Sequence, residues 1–260
     1  MKKTSNTHQA GIFKVDIETP LGPIKSNVTV DTGPMRLAEL VPSAIELTNI
    51  LMQRAEKKQN DQGKTVSCKA GCGACCRQMV PLSAPEAFFV VDLLNSIQGE
   101  KKQVFVERFN QIAKRLEAQH VIDLFLSENF DDDKVYALAM DYFSWQIPCP
   151  FLINESCAIH SFRPVACREY SVTSAPQLCS TPFSGKVNKI PMPLPLSMPL
   201  ARLTADLTSL DIKLIPLSLA PLWVQKHMPI NQQTWQGLEL FKAFIEHLGP
   251  AHPGNEINRW

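Results

Sequence analysis

The sequence predicts a mainly α protein with an N-terminal β-hairpin and an irregular, cysteine-rich middle. Three observations carry that expectation. Apolar residues recur at helical spacing in five stretches, strand-like alternation is confined to the first thirty or so residues, and all eight cysteines fall between Cys68 and Cys179. At about 150 residues per domain, 260 residues make one large domain or two small ones. A chain of this length buries about three quarters of its unfolded surface and folds without crosslinks. The charge is balanced, 26 Lys plus Arg against 25 Asp plus Glu, which argues against a nucleic-acid binder recognised by bulk charge. A hydrophobic share of 45% with 20% charged residues is ordinary for a folded soluble chain.

From the N-terminus, Phe13, Val15 and Ile17 alternate with Lys14, Asp16 and Glu18, and a weaker strand pattern runs from Ile24 to Val30. Turn chemistry at Thr19-Pro20-Leu21-Gly22-Pro23 joins them into a hairpin. From Val41 to Ala55 the apolar spacing is helical, with Pro42 in a first turn and Lys57 and Lys58 in the last. Asn60 to Lys64 is a polar loop into the first cysteines. Ser83-Ala84-Pro85-Glu86 has capping-box spacing and starts a helix over 84–97. Two more helices follow at 101–118 and 132–145, the latter opening on Asp131, Asp132 and Asp133. Those three carboxylates read as an acidic helix start rather than a hard-cation site. Nine of the twenty prolines lie between 176 and 229, so the stretch 191–200 is expected to be extended. Asn231 is expected to cap a last helix, with Trp235, Leu238, Phe241, Ile245 and Leu248 on one face and Gly249-Pro250 as its stop. The tryptophans read as packing residues, since no basic residues are interleaved with them.

The chemistry lies in the cysteines. Cys68, Cys72, Cys75 and Cys76 form one group, and Cys149, Cys157 and Cys167 a second, with Cys179 further on. Two residues between Cys72 and Cys75 let both sulfurs approach one ion. Gly71 and Gly73 permit the tight backbone this needs. A lone buried cysteine is usually a small hydrophobe, but seven or eight in two dense groups point to metal. Adjacent side chains diverge, so Cys75 and Cys76 are expected to serve different ions, or one an ion and the other the core. The eight thiols then make two four-coordinate sites, or one site with spares. Arg77, Arg163 and Arg168 are placed to offset the negative charge of bound thiolates. Zinc and a [4Fe–4S] cluster both accept four thiolates, and spacing does not separate them. The adjacent pair and the three-residue gap depart from common zinc ribbons, which tilts the reading slightly toward iron.

Cys68-x3-Cys72-x2-Cys75-Cys76, followed by Cys149-Pro-Phe-Leu, Cys157-Ala-Ile-His160 and Arg163-Pro-Val-Ala-Cys167-Arg168-Glu-Tyr170, resembles the bacterial YkgJ-type cysteine-cluster family. The members of that family are described as zinc- or iron-chelating proteins, and the resemblance covers Cys68 to Tyr170. It implies that Cys68, Cys72, Cys75, Cys76, Cys149, Cys157 and Cys167 bind metal. His160 stands where the family often has tyrosine, as a ligand or a supporting residue, and Cys179 lies beyond the matching part.

Two enzyme readings compete with plain metal binding. Flagellin lysine methylases share a similar cysteine cluster, which implies S-adenosylmethionine and a protein lysine substrate; yet no Gly-rich nucleotide loop follows a strand here. Such an enzyme would bind S-adenosylmethionine with measurable heat. The spacing also matches radical S-adenosylmethionine enzymes, but Ala74 replaces their usual aromatic residue, and no repeated strand–helix units follow. The expected layout is a hairpin arm over 1–35, a helical metal-binding domain over 36–180, and a proline-rich segment with terminal helices over 181–260. The N-terminus shows no apolar signal run, no window spans a bilayer, and clustered thiols fit a reducing cytoplasm. The expected partners are a metal ion and a protein, as partner or substrate, with neither nucleic acid nor membrane. Because bound metal fixes loops that have few apolar residues of their own, chelation is expected to loosen 65–80 and 148–180 first.

Overall fold

The computed structural model describes residues 10–126 and 132–248. It is mainly α, with the expected N-terminal hairpin. Strands β1 (Ala10–Ile17) and β2 (Ile24–Asp31) pair antiparallel, Val15 opposite Ser26 and Ile17 opposite Ile24. Alternation puts Val15, Ile24, Val28 and Val30 into the core. Strand β3 (Pro34–Met35) leads into α1 (Leu37–Asp61), and β4 (Pro81–Leu82) into α2 (Ala84–Ser96). Helices α3 (Glu100–Ala118), α4 (Ile122–Leu126) and α5 (Asp132–Ser144) follow, then the hairpin of β5 (Leu152–Ile153) and β6 (Ser156–Cys157). The last part holds α6 (Val165–Glu169), α7 (Ser197–Leu207), β7 (Ile215–Pro216), α8 (Ala220–Asn231), β8 (Trp235–Gln236) and α9 (Gly237–Glu246).

One main core runs through all of this. Leu40, Leu47 and Leu51 of α1 pack with Phe88 of α2, Trp223 of α8 and Phe241 and Phe244 of α9. A second, smaller core gathers Ile112 and Leu116 of α3, Phe125 of α4, Leu138 and Tyr142 of α5, and Leu219. The N-terminal hairpin lies on α1, where the Thr29 amide donates to Glu46 at 3.0 Å and the Ser43 hydroxyl donates to the Thr29 carbonyl at 2.7 Å. Its other flank meets α9. There Gly237 donates its amide to the Gly33 carbonyl at 2.9 Å, and a β-carbon at 237 would collide with the Asp31 carbonyl.

Several elements differ from the sequence expectation, each for a physical reason. Helix α1 begins a turn earlier, because Arg36 and Glu39 form a capping box: the Arg36 amide donates to the Glu39 carboxylate at 2.8 Å. Pro42 therefore sits inside the helix rather than in its first turn. The helix also runs to Asp61, and the chain turns at Gly63, where φ is +73°. The proline stretch is extended only as far as Leu196. Pro199 falls within the first turn of α7, where a missing N–H costs no hydrogen bond. Asn231 ends α8 instead of capping the last helix, and Trp235 lies in a strand paired with Met35. Gly249-Pro250 and the side chains of Asp131, Asp132 and Asp133 lie outside the described residues.

Candidate metal centre

The first cysteine group sits on a run of tight turns between α1 and β4. The Cys72 amide donates to the Lys69 carbonyl, Cys76 to Gly73, and Gln78 to Cys75, at 3.0–3.2 Å. The two glycines have different work. Gly71 has φ +86° with open space where a side chain would stand, so it supplies the left-handed turn. Gly73 supplies a close approach: a β-carbon there would lie 2.6 Å from the Glu155 carbonyl oxygen and 2.6 Å from Leu152 Cδ1.

That approach brings the second group against the first. Residues 152–157 form a hairpin whose two turn residues, Asn154 and Glu155, both have positive φ, 48° and 58°, as a type I′ turn requires. The Cys149 amide donates to the Cys76 carbonyl at 2.7 Å, so the two groups share a backbone hydrogen bond. Arg77 clamps the Glu155 carboxylate through both terminal nitrogens, at 2.9 and 2.6 Å. Arg108 of α3 donates to the carbonyls of Pro150 and Leu152. Ser67 closes the other side by donating its amide to Val172 at 2.9 Å.

Buried charge pins the segment carrying Cys157 and Cys167. Arg168 is 9% exposed and donates to Arg163 O at 3.0 Å, Asn49 Oδ1 at 2.8 Å and Ser161 O at 2.6 Å. Burial and the neighbouring Arg163 lower its pKa to about 10. Glu169 accepts the Leu196 amide at 2.7 Å, and burial, aided by Glu86, raises its carboxyl to about 8. The capping-box carboxylate reaches further than its own helix. Glu86 takes the Ser83 amide at 2.9 Å and hydroxyl at 2.7 Å on one oxygen, and the Val165 amide at 2.8 Å on the other. It thus caps α2 and starts α6, two residues before Cys167. A Glu86→Gln substitution puts an amide donor against one of these donors. We expect it to cost about 1–3 kcal/mol, the price of a buried unsatisfied group, as read from urea unfolding.

Electrostatics shows which thiols are neighbours. The charge of Cys75 acts on Cys68, Cys149, Cys157, Cys167 and Cys179, which makes it the hub of both groups. Around it, Cys72 acts with Cys75 on Cys68, and Cys68 and Cys72 act on Cys179. Cys149 and Cys157 act on Cys167. A hydrogen bond donated by the Cys75 thiol to Cys76, then burial, pushes the Cys75 thiol up, so the adjacent pair meets rather than diverges. Burial raises Cys149 to about 12 and Cys179 to about 11, and moves Cys68, Cys157 and Cys167 in the same direction. Arg163 opposes this at Cys75, Cys157 and Cys167. A cation among these sulfurs supplies the positive charge that burial withholds.

Cys179 is the residue the sequence left aside. It is 4% exposed, and the structure places it with Cys68, Cys72 and Cys75. Its signal was its position in the same cysteine-rich segment, after Cys167. His160 is held by burial and by Arg163 and Arg168 below its usual value, and no thiol is among the groups acting on it. All eight cysteines are free thiols, so the donor set is soft and suits zinc or iron. Among the described residues no group of three or more His, Cys, Asp or Glu side chains is placed so that it could hold a metal ion as it stands. No helix among the described residues is long and apolar enough to cross a membrane.

No curated protein and no solved structure matches the chain at a significant score. A family model does match, over residues 67–182, and its description is "putative zinc- or iron-chelating domain". The matched segment starts one residue before Cys68 and ends three after Cys179, so it takes in every cysteine of the chain. The match covers less than half of the chain, and it is this segment, with its free thiols, that is similar to zinc- or iron-chelating domains.

Proposed function

We propose that this protein holds two thiolate-bound metal centres that meet at the adjacent pair Cys75 and Cys76. Cys68, Cys72 and Cys179 serve one centre, and Cys149, Cys157 and Cys167 the other. The pair gives one sulfur to each, completing two sets of four. The observation that supports this is the position of Cys75, whose charge acts on members of both sets. Arg163, beside Cys75, Cys157 and Cys167, offsets the negative charge that four thiolates leave on either metal. Bound zinc supplies a rigid crosslink, and an iron–sulfur cluster supplies one-electron exchange. The chain's own contribution is to bring the sulfurs near one another, half-buried, and to anchor their loops through Glu86, Arg108 and Arg168. Free thiols throughout suit a reducing compartment such as the cytoplasm.

The test is metal content with an absorption spectrum, on full-length protein purified without oxygen. Two zinc ions per chain without colour, or several irons and sulfides with broad visible absorption, both fit two centres. Cys72→Ala and Cys167→Ala should each remove one centre and leave the other, and removing both metals should expose 65–80 and 148–180 to protease first. A Cys72→Ala protein that keeps its metal and its stability would sink the assignment.

A further inference from the structure

We infer that β1 pairs antiparallel with β1 of a second copy of this chain, joining two hairpins into one continuous sheet. Strand β1 has β2 on one side, and among the described residues no strand lies on the other. The far edge of β2 is already taken. Both backbone groups of Thr29 turn toward α1, the amide to Glu46 and the carbonyl to Ser43. In an antiparallel pair, residues whose backbone groups face away from the partner strand stand opposite one another and recur at every second position. Thr29 stands opposite Ile12, Asn27 opposite Lys14 and Lys25 opposite Asp16. The N–H and C=O groups of Ile12, Lys14 and Asp16 therefore point out along the open edge, a row that another extended chain completes.

Charge selects the occupant and the register. A lysine on an edge strand ordinarily turns other strands away. Here Asp16 follows Lys14 two residues on, and both are exposed. With a two-fold axis at Val15, Lys14 of each copy stands opposite Asp16 of the other, so one sheet holds this pair twice. An axis at residue 14 or 16 instead sets lysine against lysine or aspartate against aspartate, which like charge disfavours. Asp16 then lies between its own Lys25, at 3.1 Å, and the incoming lysine. On the other face of the sheet the same register lays Phe13 beside Ile17 of the second copy. Both are half-buried in one chain, and aromatic with β-branched is a favoured cross-strand pair. Ile12, 71% exposed, gains the methylene stem of Glu18 opposite it.

Sedimentation of the full chain from about 1 to about 100 µM tests the pairing, and the mass should rise to that of two chains. Lys14→Glu and Asp16→Lys, both at exposed positions, each set like charges together and should weaken the dimer at least about tenfold, with circular dichroism confirming the fold. Mixed in equal amounts, the two variants face each other with opposite charges at both contacts, and the mixture should dimerise as the parent does. Amide exchange locates the contact. The amides of Ile12, Lys14 and Asp16 should gain protection as concentration rises, while those of Phe13, Val15 and Ile17, bonded to β2, stay protected throughout. A monomer at every concentration, a dimer that both variants keep, a mixture that stays monomeric, or full protection of Ile12, Lys14 and Asp16 already in the monomer would each overturn the inference.

Discussion

Replacing Arg168 by methionine is expected to cost about 3–5 kcal/mol of unfolding free energy, the largest loss of any single side chain outside the cysteines. Methionine fills similar apolar volume, so the loss isolates the guanidinium. Three acceptors are left without it: the Asn49 side chain on α1 and the carbonyls of Ser161 and Arg163. One lies on α1 and two within the loop itself, so the substitution frees the loop 157–168 from α1 as well as from itself. Lysine is not a rescue, since a single ammonium cannot address three divergent acceptors as a planar fork does. Urea unfolding gives the energy, and limited proteolysis should place the first new cleavage within 157–168. An Arg168→Lys protein as stable as the parent would show that charge, and not the fork, does the pinning.

Alanine at Gly73 has the second largest expected effect, about 2–3 kcal/mol, with a comparison built in at Gly71. The methyl group at 73 meets backbone, the Glu155 carbonyl carbon at 2.8 Å and its oxygen at 2.6 Å, and backbone cannot rotate away. The two cysteine-bearing segments must then separate. At Gly71 the methyl group meets open space, and the cost is the left-handed φ alone, about 1 kcal/mol. Denaturant midpoints should rank parent, Gly71→Ala, Gly73→Ala. Only the Gly73 variant should also weaken the Arg77–Glu155 clamp and the metal content of the Cys149, Cys157 and Cys167 set. The reverse order would mean that turn conformation matters more than the approach of the two segments.

Much of the fold was legible because its signals are local. The alternation at 13–17 placed β1, and Ser83 with Glu86 fixed the start of α2 to the residue. Helices α3 and α5 begin and end within a residue or two of their apolar repeats. What stayed hidden depends on contacts far along the chain. Prolines made 191–200 read as extended, yet Pro199 occupies a first helical turn, where it fits. Trp235 carries a helical face pattern, but pairing with Met35 and the squeeze of Gly237 against β2 hold it in a strand. The β5–β6 hairpin escaped because Glu155 is an unusual residue for a left-handed turn position. The same holds at the site: dense cysteine spacing pointed to the two groups, whereas the seating of Cys179 beside Cys68 and Cys72 depends on how the chain returns.

The docking of the first hairpin against the last helix has a consequence for synthesis. Strand β2 finds its outer support in α9, and β3 finds its partner in β8, some two hundred residues later in the chain. As the polypeptide emerges from the ribosome, its earliest segment therefore waits, with Val28, Val30 and Met35 still wet, until residues 235–246 arrive to cover them. At about 5–20 residues per second that wait lasts on the order of ten to forty seconds, a window in which a nascent chain is open to chaperones and to premature association.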